Sequence, residues 1–134
     1  GNEDPQVSIP GEIRPRAEFY SYAAKYIDDD TELLIPAPLE ASTVAQIQDC
    51  ALRAYKAIDC AGMARVDFFV DKDNSQVYIN EVNTIPGFTK ISMYPKLWEA
   101  SGIPYPKLLD RLVELAFERK AERDRTEYHY RGEA

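Results

Sequence analysis

The sequence of 134 residues lacks several features that would assign it to a membrane or nucleic-acid-binding class. No apolar run approaches the ~20 residues of a membrane span. The opening Gly-Asn-Glu-Asp-Pro does not have the composition of a signal peptide, so we expect a cytoplasmic protein without a membrane partner. Positive charge is also scarce, because 16 Lys and Arg stand against 23 Asp and Glu. The resulting net charge of −7 argues against nucleic acid as a partner.

Cysteine, histidine and glycine motifs are equally sparse. The two cysteines, Cys50 and Cys60, lack C-x-x-C spacing, which argues against a zinc site or a disulfide scaffold. No Gly-x-Gly-x-x-Gly or Walker pattern is present. The single histidine, His129, lies in a charged C-terminal stretch, and we do not expect it to be catalytic. Any chemistry therefore has to come from other residue types.

The composition is that of an ordinary folded domain. Hydrophobic residues make up 45% of the chain and charged residues 29%, and 134 residues suffice for one core. We expect one domain over residues 1–122 and a charged, frayed tail over 123–134. The chain starts without Met, from which we expect a piece of a longer protein.

The N-terminal half alternates short extended segments with one helix. We predict a strand at 7–9 that continues toward Ile13, a long ordered loop at about 15–32, and a strand at 33–35. A capping-box pattern from Thr43 to Gln46 predicts the start of a helix. The apolar residues of this helix recur at three- and four-residue steps. They are Val44, Ile47, Ala51, Ala54, Tyr55 and Ile58.

The C-terminal half combines a β-hairpin, a loop and two helices. Two β-rich runs, 64–71 and 76–83, flank a turn. The hydrophobic residues of 84–94 show no regular spacing, and this stretch is interpreted as a loop. Pro95 and Pro106 suit the first turns of a short helix and of a last helix. The predicted buried stripe of the last helix is Tyr105, Leu108, Leu109, Leu112, Leu115 and Ala116.

Alternation in the hairpin predicts which side chains share a face. With residues 72–76 as the connection, Asp67 lies opposite Glu81, Arg65 opposite Asn83, and Phe69 opposite Ile79. Two opposed carboxylates destabilise each other unless a cation lies between them. An oxygen-only set with room for water and phosphate suits Mg²⁺.

A simpler interpretation of the same residues is a solvent-facing salt bridge in which Arg65 neutralises Asp67. In an unremarkable hairpin this would be the commoner outcome. The other face of the hairpin is also nearly all apolar, which predicts a sheet that is covered on both sides. The charges at its open end would then lie in a cleft.

Three stretches of sequence carry a resemblance to a known family. They are Ala64-Arg-Val-Asp-Phe-Phe, Tyr78-Ile-Asn-Glu-Val-Asn-Thr-Ile-Pro-Gly-Phe-Thr and Ser92-Met-Tyr-Pro-Lys-Leu-Trp. Together they closely resemble the C-terminal part of D-alanine:D-alanine ligases, ATP-grasp enzymes of peptidoglycan synthesis. Glu18-Phe-Tyr and Ala24-Lys-Tyr-Ile resemble the ω-loop of that family. The resemblance covers residues 1–122 in order.

The resemblance implies an α+β fold, an antiparallel sheet packed by two or three helices that forms one lobe of an ATP-grasp fold. It implies that ATP phosphorylates one D-alanine and that the amine of a second D-alanine attacks the acyl phosphate. The family's N-terminal and central domains are not contained in this sequence. We therefore expect the chain alone to be inactive. The resemblance also implies that the parent protein is a homodimer.

The resemblance also implies a role for nine residues. Asp67, Glu81 and Asn83 would bind two Mg²⁺ or Mn²⁺ ions, with Glu81 and Asn83 also at the nucleotide. Arg65 would stabilise charge on the acyl phosphate, and the backbone N–H of Gly87 would approach the reacting centre. The residues expected to close over the site or to hold the second D-alanine are Lys25, Tyr26, Ser92 and Met93. Lys25 would reach the phosphate, and Tyr26 favours D-alanine as the second substrate.

Two alternatives stay open. One is another ATP-grasp ligase, such as a D-alanine:D-lactate enzyme. The other is a non-catalytic acidic module that uses the hairpin to bind a metal or a protein. Such a module has no need for Arg65 beside the carboxylates or for Ser92 downstream.

Overall fold

Two antiparallel strand pairs and three helices make up residues 1–15, 31–89 and 91–125, the parts of the chain described by the computed structural model. The α+β architecture predicted from the sequence is confirmed. In chain order the elements are β1 (Glu12–Pro15), β2 (Thr31–Leu34), α1 (Ala41–Ala57), β3 (Arg65–Val70), β4 (Val77–Asn83), α2 (Met93–Ala100) and α3 (Tyr105–Asp124). Strand β1 pairs with β2, and β3 pairs with β4.

The strand predicted at 7–9 does not form. The backbone of this segment is satisfied by side chains of distant helices instead of by a neighbouring strand. The N–H of Ile9 donates to Oγ of Ser101 at 3.0 Å, and the carbonyl of Ser8 accepts from Nε2 of Gln48 at 3.0 Å. Strand pairing begins only at β1. Its partner β2 ends at Leu34, one residue before the predicted end of the strand at 33–35.

Gly11 allows this N-terminal segment to lie directly on α2. A Cβ on Gly11 would lie 2.6 Å from the Met93 side chain and 2.8 Å from that of Leu97. Real Cβ atoms do not approach other heavy atoms so closely, so a larger residue at this position would force the ends of the Met93 and Leu97 side chains to move. The extended segment thus joins α1, α2 and the β1–β2 pair.

Helix α1 begins two residues before the predicted capping box. Its N-cap is Glu40, whose side chain makes no capping hydrogen bond, and Thr43 lies inside the helix with only 6% of its surface exposed. Thr43 is therefore a core residue, and the predicted cap was wrong. Ile47, Ala51 and Tyr55 are buried as predicted. Ile58 is 51% exposed because it follows the end of the helix.

The β3–β4 hairpin packs on α1 and is tied to α3 through Asn2. The Asn2 amide donates to the carbonyl of Leu115 at 3.0 Å and accepts from the N–H of Gly62 at 3.1 Å, just before β3. The hairpin is not covered on both sides within the described residues, contrary to the prediction. Its most exposed large apolar side chains are Phe69, Tyr78 and Ile79.

Helix α3 is longer than predicted and less buried. It runs through Asp124, where a frayed tail was predicted from residue 123. Ion pairs along its charged end, such as Lys120 with Asp124 at 2.5 Å, join side chains one turn apart and favour the helix. Only Leu108 and Leu115 of this helix are buried, whereas Leu109 is 42% exposed. No described helix is long and apolar enough to cross a membrane.

Adjacent leucines on α3 allow a matched test of this packing. Leu108 is 4% exposed, so Leu108→Ala should lower the free energy of unfolding by about 3 kcal/mol through lost burial and a cavity. Leu109→Ala makes the same chemical change at a 42% exposed position and should cost under about 1 kcal/mol. Urea denaturation of both variants measures the difference. Equal losses would mean that the orientation of α3 described here is wrong.

Candidate functional site

The open end of the hairpin brings Arg65, Asp67, Glu81 and Asn83 together as predicted. Asp67 pairs with Glu81 and Arg65 pairs with Asn83 across the two strands. Alternation therefore predicted the polar half of the hairpin correctly. The four side chains belong to two neighbouring antiparallel strands, which fixes their spacing.

The apolar half of the hairpin departs from the predicted register. Phe68, not Phe69, lies opposite Ile79, and Phe69 lies opposite Tyr78. One residue of β4, Asn80, is thus left without a partner on β3, which is a β-bulge. The prediction of Phe69 opposite Ile79 was wrong because it assumed unbroken alternation. Bulges re-aim side chains and are common beside functional sites.

Arg65 lies between the two opposed carboxylates. Its Nε and Nη2 atoms donate to Oδ1 and Oδ2 of Asp67 at 2.7 and 2.9 Å, a bidentate pair. Nη2 also lies 3.8 Å from Oε1 of Glu81. The side chains of Arg65, Asp67 and Glu81 are 26%, 30% and 47% exposed. The guanidinium therefore offsets the repulsion between two carboxylates that solvent only partly screens.

The predicted metal ligands offer a partial coordination shell. Asp67 and Glu81 supply carboxylate oxygens, and Oδ1 of Asn83 accepts one hydrogen bond, from the N–H of Ile85 at 3.2 Å, which leaves a second lone pair. No cluster of three His, Cys, Asp or Glu side chains suited to a metal occurs among the described residues. Two carboxylates and an amide nevertheless fit Mg²⁺, which is usually held by few protein oxygens together with water and substrate phosphates.

The loop after β4 is held by alternate side chains. Pro86 is buried, and the Phe88 ring packs against Tyr94 and Tyr105 with centroid distances of 5.7 and 5.4 Å. Ile85 and Gly87, which alternate with these anchors, are exposed. The aromatic cluster thus attaches the loop to α2 and α3 while the alternate residues stay exposed.

Gly87 and Ser92 meet at the start of α2. A Cβ on Gly87 would lie 3.1 Å from Oγ of Ser92, tighter than an ordinary contact. Ser92 immediately precedes α2 and its hydroxyl does not cap the helix, while Met93 is the first helical residue. The structure therefore brings Gly87, which was predicted to approach the reacting centre, close to Ser92 and Met93, which were predicted to hold the second substrate.

Thr89 also contacts the candidate site, although the sequence did not single it out. Its N–H donates to Oγ of Ser92 at 3.0 Å, and its hydroxyl lies 2.9 Å from the same atom. A Thr three residues before a Ser at a helix start was the available signal, because such hydroxyls often bond to nearby backbone. Lys25, Tyr26 and His129 lie outside the described residues.

Comparison with known proteins identifies the family. The family model "D-ala D-ala ligase C-terminus" matches residues 1–114. The chain belongs to this family. A D-alanine–D-alanine ligase of Caldicellulosiruptor bescii is 58% identical over 132 residues, which cover 98% of this chain and 36% of the relative. The chain thus spans about a third of the length of the curated relatives that it matches.

Solved structures agree with this assignment. The D-alanine-D-alanine ligase of Coxiella burnetii is 49% identical, with a TM-score of 0.78 over 92% of this chain and 31% of that one. The VanG D-Ala:D-Ser ligase of Enterococcus faecalis is 36% identical, with a TM-score of 0.74 over 86% of this chain and 33% of that one. The fold is therefore that of the C-terminal lobe of an ATP-grasp ligase.

The aromatic cluster that holds the loop should give stability a specific dependence on pH. Burial raises the pKa of Tyr94 above its ordinary value of 10, although a hydrogen bond with Trp98 acts in the opposite direction. The folded state therefore binds the phenolic proton more tightly than the unfolded state. This contribution to stability is complete below pH 10 and is lost as the pH rises through the folded-state pKa.

We expect the free energy of unfolding to fall as the pH rises above 10, and Tyr94→Phe to make that fall shallower. Urea denaturation at half-unit pH steps measures both slopes. Identical slopes for the two proteins would contradict the assignment of part of the alkaline loss to this phenol.

Proposed function

We propose that this chain is the C-terminal part of an ATP-dependent ligase that joins two D-alanines for peptidoglycan precursor synthesis. ATP would phosphorylate the carboxylate of the first D-alanine, and the amine of the second would displace phosphate from the acyl phosphate. The observation that carries the proposal is the direct opposition of Asp67 and Glu81 with Arg65 between them, in a chain of this family.

Asp67, Glu81 and Asn83 would hold two Mg²⁺ or Mn²⁺ ions, with Glu81 shared between them and with Glu81 and Asn83 also beside the nucleotide. When bound, these ions neutralise charge on the phosphate oxygens during transfer. The support from this chain is the oxygen-only donor set at the open end of the hairpin, whose carboxylates are partly exposed to solvent. The free lone pair of the Asn83 amide oxygen is consistent with a third protein ligand.

Arg65 would stabilise the negative charge that develops on the acyl phosphate. Its bidentate pair with Asp67 holds the planar guanidinium in one orientation, so little reorganisation is needed during reaction. Removal of Arg65 would also leave the two opposed carboxylates without a neutralising side chain among the residues that the structure describes.

The second D-alanine would bind where the loop meets α2. The Ser92 hydroxyl and the N–H of Met93 would hold its carboxylate at the positive end of the helix dipole. The exposed N–H of Gly87 would approach the reacting centre. By resemblance, Lys25 would contact phosphate, and Tyr26 would contact the substrate.

The reaction would need parts of a longer parent protein. We propose that N-terminal and central domains supply the rest of the ATP site and the first D-alanine site, in a cytoplasmic homodimer. The exposed apolar side chains of Phe69, Ile79 and Phe117 are consistent with surfaces that such domains cover. The 134-residue chain alone would then form no dipeptide.

A different second substrate is the main alternative. One structural neighbour is a D-Ala:D-Ser ligase at 36% identity, whereas the Caldicellulosiruptor D-alanine–D-alanine ligase is 58% identical. The greater identity favours D-alanine. A non-catalytic metal- or protein-binding module would not require the organised pair of Gly87 and Ser92 beside the hairpin.

The proposal is tested by Glu81→Gln in the full-length parent protein. The variant keeps the size of the side chain but removes the charge, so we expect dipeptide formation to fall at least 10²-fold and its Mg²⁺ requirement to rise. Glu99→Gln makes the same change at an exposed position on α2 and should retain activity. The product is measured by mass spectrometry.

Assays with D-serine and D-lactate in place of the second D-alanine separate the ligase classes, and the isolated chain provides the inactive reference. Near-normal turnover of Glu81→Gln would show that the opposed carboxylates are structural. A parent protein that forms no D-alanyl product would reject the ligase proposal.

A further inference from the structure

Thr89 and Ser92 are joined by three hydrogen bonds across a tight turn. The N–H of Ser92 donates to the carbonyl of Thr89 at 3.0 Å, and the N–H of Thr89 donates to Oγ of Ser92 at 3.0 Å. The two hydroxyl oxygens are 2.9 Å apart, so either can donate to the other. The turn therefore fixes both the backbone and the hydroxyl of Ser92.

The hydrogen-bonding capacity of a hydroxyl limits what Ser92 can do. A serine hydroxyl has one donor and two acceptor lone pairs. The N–H of Thr89 occupies one lone pair. If the Thr89 hydroxyl also donates to Ser92, both lone pairs are filled, and the Ser92 O–H proton is free for an acceptor outside the turn.

We propose that Thr89 is a positioning residue that makes Ser92 a hydrogen-bond donor to the carboxylate of the second amino-acid substrate. The inference rests on the proposed ligase function. A carboxylate accepts hydrogen bonds but cannot donate, so it selects the arrangement in which Thr89 donates to Ser92 and Ser92 donates outward. Hydroxyls linked in one direction polarise each other, which strengthens the outer bond.

Gly87 leaves room next to the same hydroxyl. A Cβ at this position would lie 3.1 Å from Oγ of Ser92, tighter than an ordinary contact, so the lack of a side chain keeps this space open. Thr89 thus orients the Ser92 hydroxyl, while Gly87 leaves space beside it for an acceptor. Thr89 itself is exposed, so its substitution should not disturb the core.

The test uses Thr89→Val and Thr89→Ser in the full-length parent protein, with dipeptide formation followed as each substrate is varied. Valine keeps the shape of the side chain and removes the hydroxyl. We expect Thr89→Val to raise the KM for the second D-alanine about tenfold and to change kcat and the KM for ATP less than twofold. Thr89→Ser keeps a hydroxyl and should restore the KM to within about threefold.

A double-mutant cycle separates a positioning role from a general structural one. If Thr89 acts only through Ser92, Thr89→Val should raise the KM no further in a Ser92→Ala background. An unchanged KM in Thr89→Val, equal defects in Thr89→Val and Thr89→Ser, or a full additional tenfold effect on Ser92→Ala would each overturn the inference. A parent protein without dipeptide activity would instead reject the proposed function, so the two failures are distinguishable.

Discussion

The pairing of Arg65 with two opposed carboxylates is the constraint around which this part of the chain is organised. Asp67 and Glu81 face each other across the hairpin, and the guanidinium offsets their repulsion by a bidentate pair with one and a longer contact with the other. Side chains of one sign that are partly shielded from water need such a partner or a metal ion. The same arrangement can thus be stable without a ligand and suited to a cation when phosphate is present.

The two halves of the candidate site are held by different forces. The hairpin positions its charges through backbone pairing and contact with α1. The following loop relies on apolar anchors, since Pro86 is buried and Phe88 packs against Tyr94 and Tyr105. The hydrogen bond from the N–H of Ile85 to the Asn83 side chain joins the two halves. Rigid anchoring of this kind suits residues that must hold a small substrate with precision.

The sequence predicted the polar half of the hairpin because alternation in a strand is a local property. The predicted register failed at Asn80, since an extra residue in one strand cannot be recognised from alternation alone. The strand predicted at 7–9 and the cap at Thr43 failed for a related reason. Distant side chains such as Ser101 form the backbone hydrogen bonds of the segment at 7–9, so it needs no neighbouring strand. Burial of Thr43 in the core outweighs its preference for the N-cap position. Thr89 was missed although it lies only three residues before Ser92, because the sequence does not show how the two hydroxyls are oriented.

The proposed metal site is tested most directly by a crystal structure of the full-length parent protein with Mn²⁺ and a non-hydrolysable ATP analogue. Anomalous scattering would locate the ions independently of the refined side chains. We expect peaks within coordination distance of carboxylate oxygens of both Asp67 and Glu81, with phosphate oxygens completing the shell. Carboxylates that remain bound only to Arg65, with no anomalous peak beside them, would contradict the proposed metal site.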